Sequence, residues 1–102
     1  MIKVPLIISG FEWDPGDKAN GNVQHIKSHN VDLVEVEEVF EFLEEVLLRR
    51  TRQGYRLAYG RTAAGRYLLV VFLIKHYRTV RVITARDMTR AERRLYRLHI
   101  SS

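Results

Sequence analysis

Cysteine is absent, so this chain forms no disulfide, offers no thiol nucleophile and holds no thiolate-bound zinc. Long apolar runs are absent too. The longest, residues 67–74, is far short of the ~20 residues a membrane-spanning helix needs. Residues 1–10 carry one lysine and only a brief apolar stretch at 4–8, without the longer hydrophobic region and small-residue cleavage site of a secretory leader. Together these absences make a cytoplasmic protein the expectation. Repeats, low-complexity tracts and linkers are also missing, so residues 1–102 read as a single domain.

Carboxylates are scarce in one half and abundant in the other. Residues 1–51 hold five Lys/Arg against ten Asp/Glu, a net charge of −5. Residues 52–102 hold twelve against two, a net charge of +10, and eleven of those twelve cations are arginine. The planar guanidinium suits bidentate phosphate binding, and a concentrated positive field attracts polyanions. The pattern implies a nucleic acid or an acidic protein as partner, or else a solvated surface balancing the acidic half.

The periodicities predict an α+β domain in the order β-α-α-β-β-β-β-α. Residues 4–8 read as a strand, continued through 11–13 after a kink at Gly10, and Pro15 marks a turn. A short helix is expected from Asn20 or Asn22 to His29, closed by Asn30 in a left-handed conformation. Asp32 and Glu35 form a capping-box-like start for a second helix. Its apolar positions are Val36, Val39, Phe40 and Leu43, and its outer face is acidic. Residues 46–51, 55–62, 67–76 and 79–86 then read as four strands joined by short turns, which implies an antiparallel meander. Thr89 and Glu92 open a last helix to about Leu98. Its expected apolar stripe is Met88, Ala91, Leu95 and Leu98, opposite a basic stripe of Arg90, Arg93, Arg94 and Arg97. Helices should pack against a single four- to five-stranded antiparallel sheet.

Several segments in order resemble one known family. They are Phe11-Glu12-Trp13-Asp14, Gly21-Asn22, His25, His29-Asn30-Val31 and Glu35-Val36-Glu37-Glu38-Val39-Phe40 in the first half. In the second half they are Gly60-Arg61-Thr62, Gly65-Arg66, residues 68–72, Arg81-Val82-Ile83-Thr84-Ala85-Arg86, Met88-Thr89, Glu92-Arg93-Arg94 and Tyr96. Over residues 11–97 the chain is similar to BrnT-like toxins. Ser28-His29-Asn30 stands where the better-known branch has Lys-His-Gly, and the Gly21-Asn22…His25 spacing suggests a divergent branch. The resemblance implies a RelE-like ribonuclease fold, metal-independent RNA cleavage, no cofactor, and a ribbon-helix-helix antitoxin as partner; the alternative is a non-catalytic module of the same fold that binds an antitoxin-like protein or nucleic acid.

Cutting RNA without a metal requires proton transfer at the 2′-hydroxyl and at the leaving 5′-oxygen, and cations for the phosphorane charge. Arg61, Arg81 and Arg86 match arginines of the family and are candidates for the charge. His29 is the candidate for proton transfer, and Glu92 is either an alternative base or the capping residue. Strict alternation puts Arg81 and Arg86 on opposite faces of one strand unless a bulge intervenes. Each arginine could instead pair with Glu12, Asp14 or Glu92. His25 and His29 share a helix face, but no third ligand converges on them, so no metal site is expected. Arg90, Arg93, Arg94 and Arg97 are candidates for phosphate or partner contact. Trp13 either stacks on a base or anchors the core.

Overall fold

The computed structural model describes residues 6–101, folded as three helices and one five-stranded mixed sheet. The elements in chain order are β1 (Gly10–Glu12), α1 (Asn22–Lys27), α2 (Leu33–Glu41), β2 (Leu47–Arg50), β3 (Arg56–Arg61), β4 (Tyr67–Lys75), β5 (Thr79–Asp87) and α3 (Arg90–Ser101). Short 3-10 turns precede β2 and β5. Sheet order is β1-β5-β4-β3-β2.

The expected antiparallel meander accounts for β2 to β5, whose register runs through Leu47↔Tyr59, Tyr59↔Leu69 and Leu69↔Arg86. The fifth strand departs from it. β1 pairs in parallel with β5 and joins at the edge, because both helices intervene before the meander begins. Of the strand expected at residues 4–8, Val4 and Pro5 lie outside the described residues, and 6–9 form no strand. The turns use left-handed backbone where the sequence supplies glycine, with Gly54 and Gly65 at φ +90°. Tyr77 and Arg78 adopt φ +58° at the β4–β5 corner.

Packing occurs on both sheet faces. α1 and α2 cover one of them. Ile26, Val36, Val39 and Phe40 meet Ala58, Leu68, Val70, Phe72, Val80, Val82 and Ala85 there, all buried. For a nine-residue helix, burial of three such side chains at ~1.5–3 kcal/mol each matters more than propensity. The predicted capping box is present: Val34 N–H donates to the Asp32 carboxylate, and Asp32 N–H donates to Glu35. Gly60 gives α2 its close approach, since a Cβ there would sit 2.8 Å from Val39 Cγ1.

α3 packs on the opposite face, and in a different rotation from that expected. Tyr96 is fully buried against Tyr59, Leu69 and Met88. Leu95 and Leu98 are 38% and 65% exposed, and Ala91 is exposed as well. Only Met88 of the expected apolar stripe is buried. Two bonds set the rotation: Tyr96 O–H donates to the Glu45 carbonyl at 2.7 Å, and Glu92 turns inward to accept from Arg86 at 2.7 Å. The Thr89–Glu92 capping box forms as expected.

Candidate functional site

Cross-strand partners share a face, so register decides which side each arginine occupies. Arg86 pairs with Leu69 and Arg61 with Tyr67, and both partners belong to the α3-side core. Arg81 pairs with Leu73, which alternates in phase with Leu69 along an uninterrupted β4. Between them Val71 pairs with Thr84 and Phe72 with Val82, leaving Ile83 as an extra residue. That bulge cancels the alternation and brings Arg61, Arg81 and Arg86 to one face of the sheet.

They are not equivalent on it. Arg81 donates two bonds to Asp14, at 3.0 and 2.7 Å, and lies 3.3 Å from Glu12. Hydrogen bonding from Arg81 holds the Asp14 carboxyl well below the usual carboxylate range, assisted by the backbone bond from Asn22. Asn22 is buried and locks the same corner. Its amide donates to the carbonyls of Glu12 and Val82, both at 3.0 Å, while its oxygen accepts from Asp14 N–H at 2.8 Å. Arg86 is bound by both carboxylate oxygens of Glu92, which lowers the Glu92 pKa and raises that of Arg86. Glu92 therefore both caps α3 and neutralises Arg86.

Arg61 is different. Its guanidinium lies 6.0 Å from the centre of the Tyr67 ring, and that of Arg97 lies 5.3 Å from the same ring. Among the described residues no carboxylate forms an ion pair with either cation. Hydrogen bonding from Arg97, then the nearby charges of Arg97 and Arg61, shifts the Tyr67 phenol below its ordinary pKa. Two unneutralised guanidiniums over one phenol favour an incoming anion and make the phenolate easier to form. Beside them, Arg90, Arg93, Arg94 and Arg97 line a hollow of about 380 Å³ along α3.

The remaining candidates lie elsewhere. His29 follows α1, on the side of the sheet away from Arg61; it is exposed, with its ring 5.4 Å from His25. Among the described residues no group of three metal-capable side chains exists. Trp13 is half-buried on the α2 side, stacked on Phe11, and its Nε1 donates to Glu37 at 2.8 Å. That is the core-anchoring reading of this residue.

Three residues of this region have roles that their sequence context did not state. Tyr67 read only as the start of the apolar run and strand beginning there. Asn22 read as a helix cap, but Gly21 takes that position and no side chain caps α1. Arg66 stood only in the Gly65-Arg66 segment of the family resemblance. It donates to the Asn30 carbonyl, to Glu35 and to Asp87, tying the α1–α2 corner to β5. Asn30 accepts this bond with φ +59°, the left-handed conformation expected of it.

A sequence profile of the family described as "Ribonuclease toxin, BrnT, of type II toxin-antitoxin system" matches residues 13–92. The chain belongs to that family. Membership in this BrnT family implies an RNA substrate and an antitoxin partner. No curated protein gives a significant match. No helix among the described residues is long and apolar enough to cross a membrane.

The ion pairs of this BrnT-family chain give its stability a pH dependence. Asp14, Asp87 and Glu92 all have folded-state pKa values below their unfolded ones, through hydrogen bonds from Arg81, Arg66 and Arg86 respectively. Their contribution is complete above the unfolded values of roughly 4 and is lost as pH falls through the folded ones. Melting temperature should therefore hold steady from neutrality to about pH 5 and fall as pH drops from ~4 to 2. Circular dichroism melts across that range check this; equal stability at pH 3 and pH 7 would contradict it.

Proposed function

We propose that this BrnT-family protein is a metal-independent endoribonuclease whose cleavage centre lies on the α3 side of the sheet, around Tyr67. The observation that carries the reading is the convergence of Arg61 and Arg97 on Tyr67, with no carboxylate paired to either cation among the described residues. In this reading the 2′-oxygen of RNA attacks the adjacent phosphorus and its proton passes to water. The P–O5′ bond breaks as the Tyr67 phenol gives its proton to the departing 5′-oxygen. Arg61 and Arg97 hold the charge that grows on the non-bridging oxygens, and preorganised cations are worth most at that stage. Arg90 and Arg94, exposed on α3, contact flanking phosphates. Arg81 and Arg86 hold the site's walls through their carboxylates, and proton transfer falls to Tyr67 rather than to His29.

The antitoxin in this reading is a ribbon-helix-helix protein that covers part of the arginine-bearing face. The fold is of RelE type, and the protein acts in the cytoplasm, where its RNA is.

The test is direct. Purified protein freed of partner, incubated with free and ribosome-bound RNA in EDTA, should yield 2′,3′-cyclic phosphate or 3′-phosphate ends. RNA left intact in both forms would remove the reading, and cleavage abolished by EDTA would remove its metal independence.

A further inference from the structure

Among the described residues, only half of the α3 side of the sheet is covered. Side chains on this face fall into successive cross-strand rows. Arg61 and Tyr67 form one, and Leu47, Tyr59, Leu69 and Arg86 the next. α3 lies over these two rows, as the contacts of Arg97 with Tyr67, Glu92 with Arg86 and Tyr96 with Tyr59 and Leu69 establish. The following rows hold Arg49, Leu57, Val71 and Thr84, then Leu73, Arg81 and Glu12, the last two ion-paired. Val71 and Leu73 are half-buried, and neither belongs to a core cluster of the described residues. Ile83, at the bulge, is 36% exposed.

α3 adds to this bare strip. Positions 91, 95 and 98 recur at helical spacing on one flank, and Leu95 and Leu98 are exposed there. Arg97 reaches the opposite way, toward the β3–β4 end that bears Arg61 and Tyr67. Glu92, on the other side of the helix, reaches Arg86 one row further down. The leucine flank therefore borders the uncovered rows. A sheet strip beside an apolar helix flank is the shape a second helix fills, at the usual 8–10 Å from the first.

We infer that this trough receives an amphipathic helix of the antitoxin whose polar edge is acidic. The inference rests on the toxin reading for the existence of that partner. Charge decides the polar edge. The trough is bounded by Arg49 at its β2 end and, along α3, by Arg94, which stands three residues from Ala91 and four from Leu98; both are exposed and neither forms an ion pair among the described residues. A helix with basic or neutral edges leaves those cations unmatched, and a carboxylate-edged one satisfies them. Occupancy also sets a helix beside the Arg61–Tyr67 centre, so that binding and inhibition are coupled by position.

The experiment uses the full chain and the product of the adjacent reading frame as the probe. Leu95→Glu and, separately, Leu73→Asp should weaken the complex by about thirtyfold or more, as for residues central to an interface. Val34→Glu on α2, 53% exposed on the far side, should change affinity less than about threefold. Methyl resonances supply a reading independent of any variant's folding. Val71, Leu73, Leu95 and Leu98 in the wild type should shift on adding the probe, and the buried Val36 and Val39 should not. An unbound probe, unshifted trough methyls, or full affinity in both trough variants would overturn the inference. So would a wild-type dimer, without probe, that Leu95→Glu dissociates, since the occupant would then be a second copy. The RNA cleavage assay is read separately: loss of activity with intact trough binding would count against the proposed centre and leave the trough standing.

Discussion

Arg61→Ala should reduce single-turnover RNA cleavage by about 10²–10³-fold, the range seen when one preorganised donor to a developing oxyanion is removed. RNA affinity should fall much less, by about tenfold or under, because charge on the phosphorane exceeds that on the ground-state phosphodiester. The fold should survive. Arg61 ends β3, is exposed, and makes no ion pair among the described residues, so its removal leaves no buried carboxylate unpaired. Arg97→Ala should follow the same split between rate and affinity, since the second guanidinium approaches the same ring. Rate and affinity falling by equal factors would reduce Arg61 to a binding contact.

Asn22→Ala should have the largest effect on stability. The side chain is 5% exposed and joins β1, the Asp14 turn and β5 through its amide and carbonyl. Alanine leaves the buried Val82 carbonyl and its neighbours without partners, at ~1–3 kcal/mol for each group not rescued by water. A loss of about 2–4 kcal/mol is expected, which for a domain of this size is a fall in melting temperature of ~10 °C or more. A denaturant midpoint within error of the wild type would show that water replaces the amide and that the corner is not held in this way.

Features written in neighbouring residues were legible in the sequence, and features set by distant pairing were not. Both capping boxes rest on residues three apart, Asp32 with Glu35 and Thr89 with Glu92, and both form. The four-strand meander follows from alternation and short turns, with boundaries within a residue or so of those observed. The parallel seat of β1 beside β5 follows from which edge remains open once the meander is built, and no local pattern states that. The bulge at Ile83 is likewise a matter of register against β4, yet it decides whether Arg81 and Arg86 share a face. The rotation of α3 was ambiguous because its wheel offers two apolar sectors. Leu95 and Leu98 outweigh Tyr96 in hydrophobicity, but only Tyr96 has the length and the hydroxyl to bridge Tyr59 and the Glu45 carbonyl. Composition put the arginines in the right half of the chain. Which of them are neutralised depended on Asp14, Glu12 and Glu92 arriving from elsewhere in the fold.

The acidic first half shows the same distinction. Glu35, Glu37 and Glu38 read as a solvated helix face. In the structure Glu35 binds Arg66, Glu37 accepts from Trp13 Nε1, and Glu38 accepts from Ala63 N–H at 3.2 Å. Part of the negative charge therefore holds α2 to its neighbours.

The central claim is that RNA is cut on the α3 side of the sheet, with Tyr67 as the proton donor. Single-turnover cleavage by Tyr67→Phe and His29→Ala, measured side by side in EDTA against the wild type, tests it most directly. The account predicts a loss of about 10²–10⁴-fold for Tyr67→Phe, the range of a general acid, and a rate within about threefold of wild type for His29→Ala. Wild-type cleavage by Tyr67→Phe together with a collapse in His29→Ala would contradict it and move the chemistry to the opposite face of the sheet.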